Sequence, residues 1–136
     1  MGPKINLAIF CIFYFVAGCN HFAHPGFYLR IIPPYFSHPE AINYISGSLE
    51  VIGAQLMVFA ATRKFGMYLI ISLLLLFIPV HVYMIQLHGR ISGGAYLPQW
   101  LAWLRLFPLQ FILIWWTYKT WVVFTPVAPQ GKGPAG

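Results

Sequence analysis

Long apolar runs alternate with short polar breaks along this chain. The runs cover residues 5–23, 39–61, 65–86 and 98–124. Each is close to the roughly 20 residues a helix needs to cross a hydrocarbon core. Open strands would leave backbone groups unpaired in lipid, so the runs are predicted to be helices. The pattern thus predicts an all-α protein, an antiparallel four-transmembrane-helix bundle filling a single domain, 1–125. A Pro/Gly-rich stretch, 126–136, reads as a flexible tail.

The breaks differ in character. Thr62-Arg63-Lys64 is a short turn, so the second and third helices should be antiparallel neighbours. The break from His24 to His38 holds Phe27, Tyr28, Ile31, Ile32, Tyr35 and Phe36 among Pro25, Pro33 and Pro34. It is too apolar for a water-exposed loop and is expected at the membrane interface or folded over the helices. The break from Leu87 to Leu97 is polar and glycine-rich.

Composition strengthens the membrane reading: 60% of residues are hydrophobic and 7% charged, against about 25% charged in a soluble domain. The net charge of +6 does not point to nucleic acid, because the basic residues stand singly at the ends of apolar runs. There they suit membrane lipids. Lys4, Arg63, Lys64, Lys119 and Lys132 fall on one side of the predicted topology and Arg30 and Arg90 on the other, which places both termini in the cytoplasm. Trp100 and Trp103 at one end of the fourth run, and Trp121 near the other, read as interfacial anchors. Cys11 and Cys19 have neither a CxxC nor a metal-ligand spacing and read as membrane thiols. Val16-Ala17-Gly18-Cys19 resembles a lipoprotein cleavage site; the three apolar runs that follow weigh against processing.

The apolar runs carry a few expensive polar residues. Glu50 is one of only two acids in the chain. A carboxylate at mid-bilayer costs roughly 2.5–3.5 kcal/mol on insertion scales. Ser46, Gly47, Glu50, Gly53 and Ala54 share one face of their helix. Small residues allow close backbone approach, so this face should pack inward and carry Glu50 with it. At about 1.5 Å rise per residue, Asn20 and His21 end the first helix near the outer surface. By the same count Glu50 lies about 15 Å below that surface, His81 about 8 Å and Arg105 about 9 Å. The polar groups thus gather in the outer half, and the cytoplasmic half is expected to have almost none. Arg105 is the natural counter-charge for Glu50, through a bidentate fork. The alternatives are a carboxylate that only joins helices and an arginine that extends to head-groups. His21 and His81 suit a proton relay or a ligand contact; a metal or haem site is not favoured. Pro79 and Pro108 should kink the third and fourth helices beside His81 and Arg105, opening a pocket. Gln110, five residues beyond Arg105, is expected on a different face, and Tyr83 is a weaker candidate.

These features together resemble the DoxX family of small four-helix bacterial membrane proteins. The resemblance runs through Gly18-Cys19-Asn20-His21-Phe22, Tyr35 and Pro39, and Ser46-Gly47 with Glu50 and Gly53. It continues through Phe77-Ile78-Pro79-Val80-His81-Val82-Tyr83-Met84, then Arg105, Pro108 and Gln110. It implies a bacterial cytoplasmic (inner) membrane location and association with a membrane oxidoreductase partner subunit.

Three functions follow as expectations. The first is an integral membrane subunit of a quinone-linked or redox system, with Glu50, Arg105 and the histidines binding a quinone head-group or moving protons in a buried polar pocket. The second is a non-enzymatic lipid-binding or membrane-protein assembly factor, in which Glu50 and Arg105 are structural. The third, a lipid isomerase or hydrolase with Glu50 as acid or base, has only an architectural likeness to EXPERA-type sterol isomerases behind it. The chain carries no dinucleotide loop, CxxC motif or recognisable triad, so whether it is an enzyme stays open, as does homo-oligomer formation.

Overall fold

A computed structural model describes residues 2–91 and 95–125. The expected tail at 126–136, with Lys132, and part of the glycine-rich loop lie outside the described residues. The fold is all-α apart from one minimal hairpin. Its elements are α1 (Pro3–Ala23), α2 (Pro25–Ile31), α3 (Pro39–Val58), α4 (Arg63–Leu76), α5 (Ile78–Gln86), β1 (Arg90–Ile91), β2 (Ala95–Tyr96), α6 (Gln99–Leu104) and α7 (Gln110–Val123). A kinked segment, Arg105–Leu109, joins α6 to α7. Arg90 pairs with Tyr96 and Ile91 with Ala95 in the antiparallel hairpin, which closes the break between α5 and α6.

Four long runs, α1, α3, α4–α5 and α6–α7, pack as successive neighbours, with α7 returning to α1. Two of them, Pro3–Ala23 and Arg63–Gln86, are long and apolar enough to cross a membrane, with mean hydropathy 1.6 and 2.3. Only 22% and 28% of their apolar windows are buried inside the protein. A soluble protein would bury such helices, so the exposed apolar flanks support a membrane location. Residues such as Ile5, Ile12, Val16, Phe65, Leu76 and Trp115 form that outer coat. The helix α3 carries Glu40, Asn43, Ser46, Ser48, Glu50 and Gln55, and this makes it less apolar.

Glycines set the spacing between α1 and α3. A Cβ on Gly18 would stand 2.7 Å from the Gly47 carbonyl oxygen, and one on Gly47 would stand 2.6 Å from His21 Cβ. Only a pair of glycines lets the two backbones come this close. The core below this contact is built from Phe10, Tyr14, Ala54, Met57, Met67, Ile70 and Leu74. A second cluster, Ile31, Met84, Ile91, Leu97 and Ala102, lies beneath α2 and the hairpin. The apolar break His24–His38 therefore folds over the helices. Its helix α2 packs against α3 and α5, and Ile31, Ile32 and Pro33 are buried.

Both predicted proline breaks occur. Pro79 lies in the first turn of α5, where a missing N–H is tolerated, and the helix divides at Phe77. Pro108 lies in the kinked segment, where Phe107 leaves helical geometry at φ −148° and ψ 120°.

The end of the protein that holds Arg63 is not apolar, contrary to expectation. Asn6 Nδ2 donates to Thr120 Oγ1 at 2.9 Å, and Trp116 Nε1 donates to Asn6 Oδ1 at 2.9 Å. Thr117 Oγ1 donates to the Leu113 carbonyl at 2.7 Å, which leaves its oxygen to accept from the Tyr14 hydroxyl at 3.5 Å. Arg63 is buried, donating to the carbonyls of Met57 at 2.8 Å and Val58 at 2.9 Å. Its guanidinium lies 4.5 Å from the centre of the Phe124 ring. It thus caps the end of α3, whose last carbonyls have no helical partner. Asn, Thr and Trp are only mildly polar, so this seam does not stand out from the apolar runs of the sequence.

Candidate functional site

The glycine contact between α1 and α3 decides where the polar residues meet. His21 is one turn beyond Gly18 on α1, and Glu50 is three residues beyond Gly47 on α3. Drawing the two glycines together places His21 Nε2 3.6 Å from Glu50 Oε2, with both side chains more than nine-tenths buried. This corrects the expected pairing of Glu50 with Arg105. Arg105 opens the kinked segment, which packs against α5, whereas Glu50 faces α1. The two side chains line one cavity without forming an ion pair.

Asn43 holds His21 in place. Its Nδ2 donates to the His21 carbonyl at 3.0 Å, and its Oδ1 lies 2.8 Å from His21 Nδ1. The ring of Tyr28, from α2, stacks on the imidazole with centroids 3.7 Å apart and planes 20° from parallel. Asn20 Nδ2 donates to the Tyr28 hydroxyl at 2.8 Å, while Asn20 Oδ1 lies 2.8 Å from His24 Nδ1. Asn20 thus steadies the ring on His21 and does not line the cavity. Asn43 and Tyr28 went unrecognised in the sequence. A signal for Asn43 existed: it is four residues before Gly47 and seven before Glu50, one more step along the same helical face.

The cavity has a volume of about 370 Å³. His21, Glu50, His81, Arg105 and Gln110 all line it, as do Asn43, Tyr28 and Ser46. The remaining lining is apolar, including Leu73, Phe77, Val80 and Leu109. Phe36, Ile45 and Leu76 line the cavity and are also exposed on the outside, so its mouth is apolar. Tyr83 is half-buried and does not contribute to the lining.

Gln110 corrects a second expectation. On a regular helix it would face away from Arg105. The helix breaks at Phe107, which takes extended geometry, so the helical count does not carry across the segment and the two side chains reach the same cavity. Gln110 is 2% exposed, and its Nε2 donates to the Leu74 carbonyl. That carbonyl is in the last turn of α4, where helix carbonyls lack intrahelical partners. Gln110 therefore ties α7 to the break between α4 and α5.

Three buried polar atoms make no hydrogen bond among the described residues: Glu50 Oε2, His81 Nδ1 and Arg105 Nε. They come from three separate elements, and their side chains line the same cavity. Buried polar groups are nearly always paired, and leaving one unmet costs about 1–3 kcal/mol, more for a charged group. Three such atoms on side chains that line one cavity make this the part of the described fold where buried polar groups are left unpaired.

No curated protein and no solved structure matches this chain. The family model for a domain of unknown function, DUF8561, matches residues 10–121. That match takes in the paired glycines, α2 and every polar residue of the cavity, and it covers most of the sequence. The chain belongs to the DUF8561 family.

Proposed function

We propose that this protein is a DoxX-like integral membrane protein that binds a quinone-class molecule in its polar cavity, as a subunit of a quinone-linked redox system. The four long runs all span the membrane in this reading. The end carrying Lys4, Arg63, Lys64 and Lys119 faces the cytoplasm, and the cavity opens in the outer half of a bacterial inner membrane. The observation that carries the proposal is the set of three unmet polar atoms on side chains lining one largely apolar cavity. A quinone needs a slot for its ring, a greasy exit for its tail and a few fixed polar groups at its oxygens. The volume of about 370 Å³ is within the range of small-molecule sites. The apolar mouth formed by Phe36, Ile45 and Leu76 would let a tail pass into lipid.

The same mouth favours a second reading, a lipid-binding or assembly factor whose cavity holds an acyl chain. Mass spectrometry of small molecules extracted from the detergent-purified protein separates the two. A quinone found in wild type and lost in Glu50→Ala, His81→Ala supports the first reading. A phospholipid retained in both proteins supports the second and removes the first.

A further inference from the structure

Two turns below the glycine contact, the same pair of helices leaves a groove on the outside of the bundle. Cys11 and Ala54 each lie seven residues from the glycine of their own helix, Gly18 or Gly47. With Ile12, Phe15, Gln55 and Val58 they line a hollow of about 220 Å³ between α1 and α3. It shares no lining residue with the polar cavity. Ile12, Phe15 and Val58 are exposed, as on a lipid-facing surface. Gln55 is exposed among them. Ser48, also exposed on α3, turns its hydroxyl back to the Tyr44 carbonyl at 2.8 Å. The Gln55 amide has no such bond among the described residues.

Depth makes that amide expensive. Cys11, in the same groove, is seven residues along α1 from Lys4, about 10 Å inside the membrane surface at 1.5 Å per residue. Helix side chains lean toward the N-terminus of their helix. For α3 that is the far, outer end, so Gln55 leans away from the nearer head-groups. Its N–H₂ and carbonyl are left in hydrocarbon, where no water meets them.

We propose that a second copy of this chain docks here, the two α1–α3 grooves meeting about a two-fold axis with one Gln55 against the other. An amide is self-complementary: it donates and accepts, so two of them close a pair of hydrogen bonds on each other. A two-fold axis is the symmetry that brings a residue against itself, and side-chain amides join membrane helices in this way. A lipid tail fills such a groove but offers the amide nothing. The exposed Ile12 and Phe15 of each copy supply the packing around the pair. The proposal rests on the membrane placement in the reading above and not on its ligand.

The test measures energy transfer between labelled copies of the full-length protein in lipid vesicles as the protein is diluted with lipid. Wild type should form a saturable, reversible dimer. Gln55→Leu should weaken it about threefold to tenfold, the effect of hydrogen bonds between membrane helices. Trp115→Leu, at an exposed position of α7, should leave it unchanged. Oxidative crosslinking reads the face directly and does not depend on Gln55→Leu folding. With Cys11→Ser and Cys19→Ser as background, Val58→Cys should crosslink and Trp115→Cys should not. A monomer at every dilution overturns the dimer and leaves the cavity reading standing. A dimer indifferent to Gln55→Leu, or one crosslinked through Trp115→Cys, overturns this face as the interface. Protein that fails to float with the vesicles overturns both readings.

Discussion

Two polar regions share the interior of this protein and are built on opposite principles. At the Arg63 end, the side-chain groups of Asn6, Trp116, Thr117, Thr120 and Arg63 have partners within the fold. At the α2 end, Glu50, His81 and Arg105 each keep a buried atom unmet beside a cavity. The first region joins α1 to α7 and finishes α3, and gives a ligand nothing to bind. The second is a poor glue, because an unpaired buried charge weakens the fold that holds it. Polarity inside such a fold therefore does not by itself mark a site; the proposed function rests on the polarity left unsatisfied beside the cavity.

The comparison breaks down most completely if the scaffold common to both regions is disturbed. Gly47→Val would drive a side chain into His21 Cβ and the Gly18 backbone. We expect destabilisation of about 3 kcal/mol or more from overpacking, seen as lost expression or a sharply lower Tm in detergent. A wild-type Tm for this variant would mean that α1 and α3 do not meet as described.

Changes confined to the Arg63 end should cost stability and spare binding. Arg63→Ala strips the Met57 and Val58 carbonyls of their charged donor, at about 2–3 kcal/mol. Asn6→Leu removes one acceptor and one donor and strands Trp116 Nε1 and Thr120 Oγ1, at about 1–2 kcal/mol. Thermal unfolding and ligand affinity, measured on the same samples, check both. A large loss of affinity with little loss of Tm in either variant would contradict the division.

The smallest expected effect on stability belongs to the most conspicuous residue. Glu50→Gln replaces a buried carboxyl whose Oε2 has no hydrogen-bond partner, so unfolding should stay within about 1 kcal/mol of wild type or shift toward greater stability. Ligand affinity should fall all the same. A loss of several degrees in Tm would show that Glu50 holds the helices together, and would move it into the class of Asn6 and Arg63.

The fold was legible in the sequence wherever apolar length decided it. Runs of about 20 residues have few ways to satisfy their backbones, and Ser46, Gly47, Glu50, Gly53 and Ala54 announced a packing face by spacing alone. Four of the cavity's polar members were legible for the same reason: Glu50, His21, His81 and Arg105 are costly inside such runs and stand out. Their pairing was not. A depth count ranks residues along one axis and says nothing of rotation about it, so it suggested Arg105 for Glu50 where packing supplied His21. Asn43 and Tyr28 escaped because neither is costly by itself, and their importance lies in the imidazole they hold.

By itself, then, the sequence determined the helical class, the break points at Pro79 and Pro108, the close-packing face of α3 and the list of residues expensive to bury. These follow from local chemistry: backbone hydrogen bonding, missing N–H groups, side-chain size and the cost of charge. Only the tertiary structure decided that two glycines bring His21 to Glu50, that the kink at Phe107 carries Gln110 into the cavity of Arg105, and that Asn6 and Arg63 are satisfied while His81 is not. Each of these depends on the distance and rotation between segments far apart in the chain, which no single segment specifies.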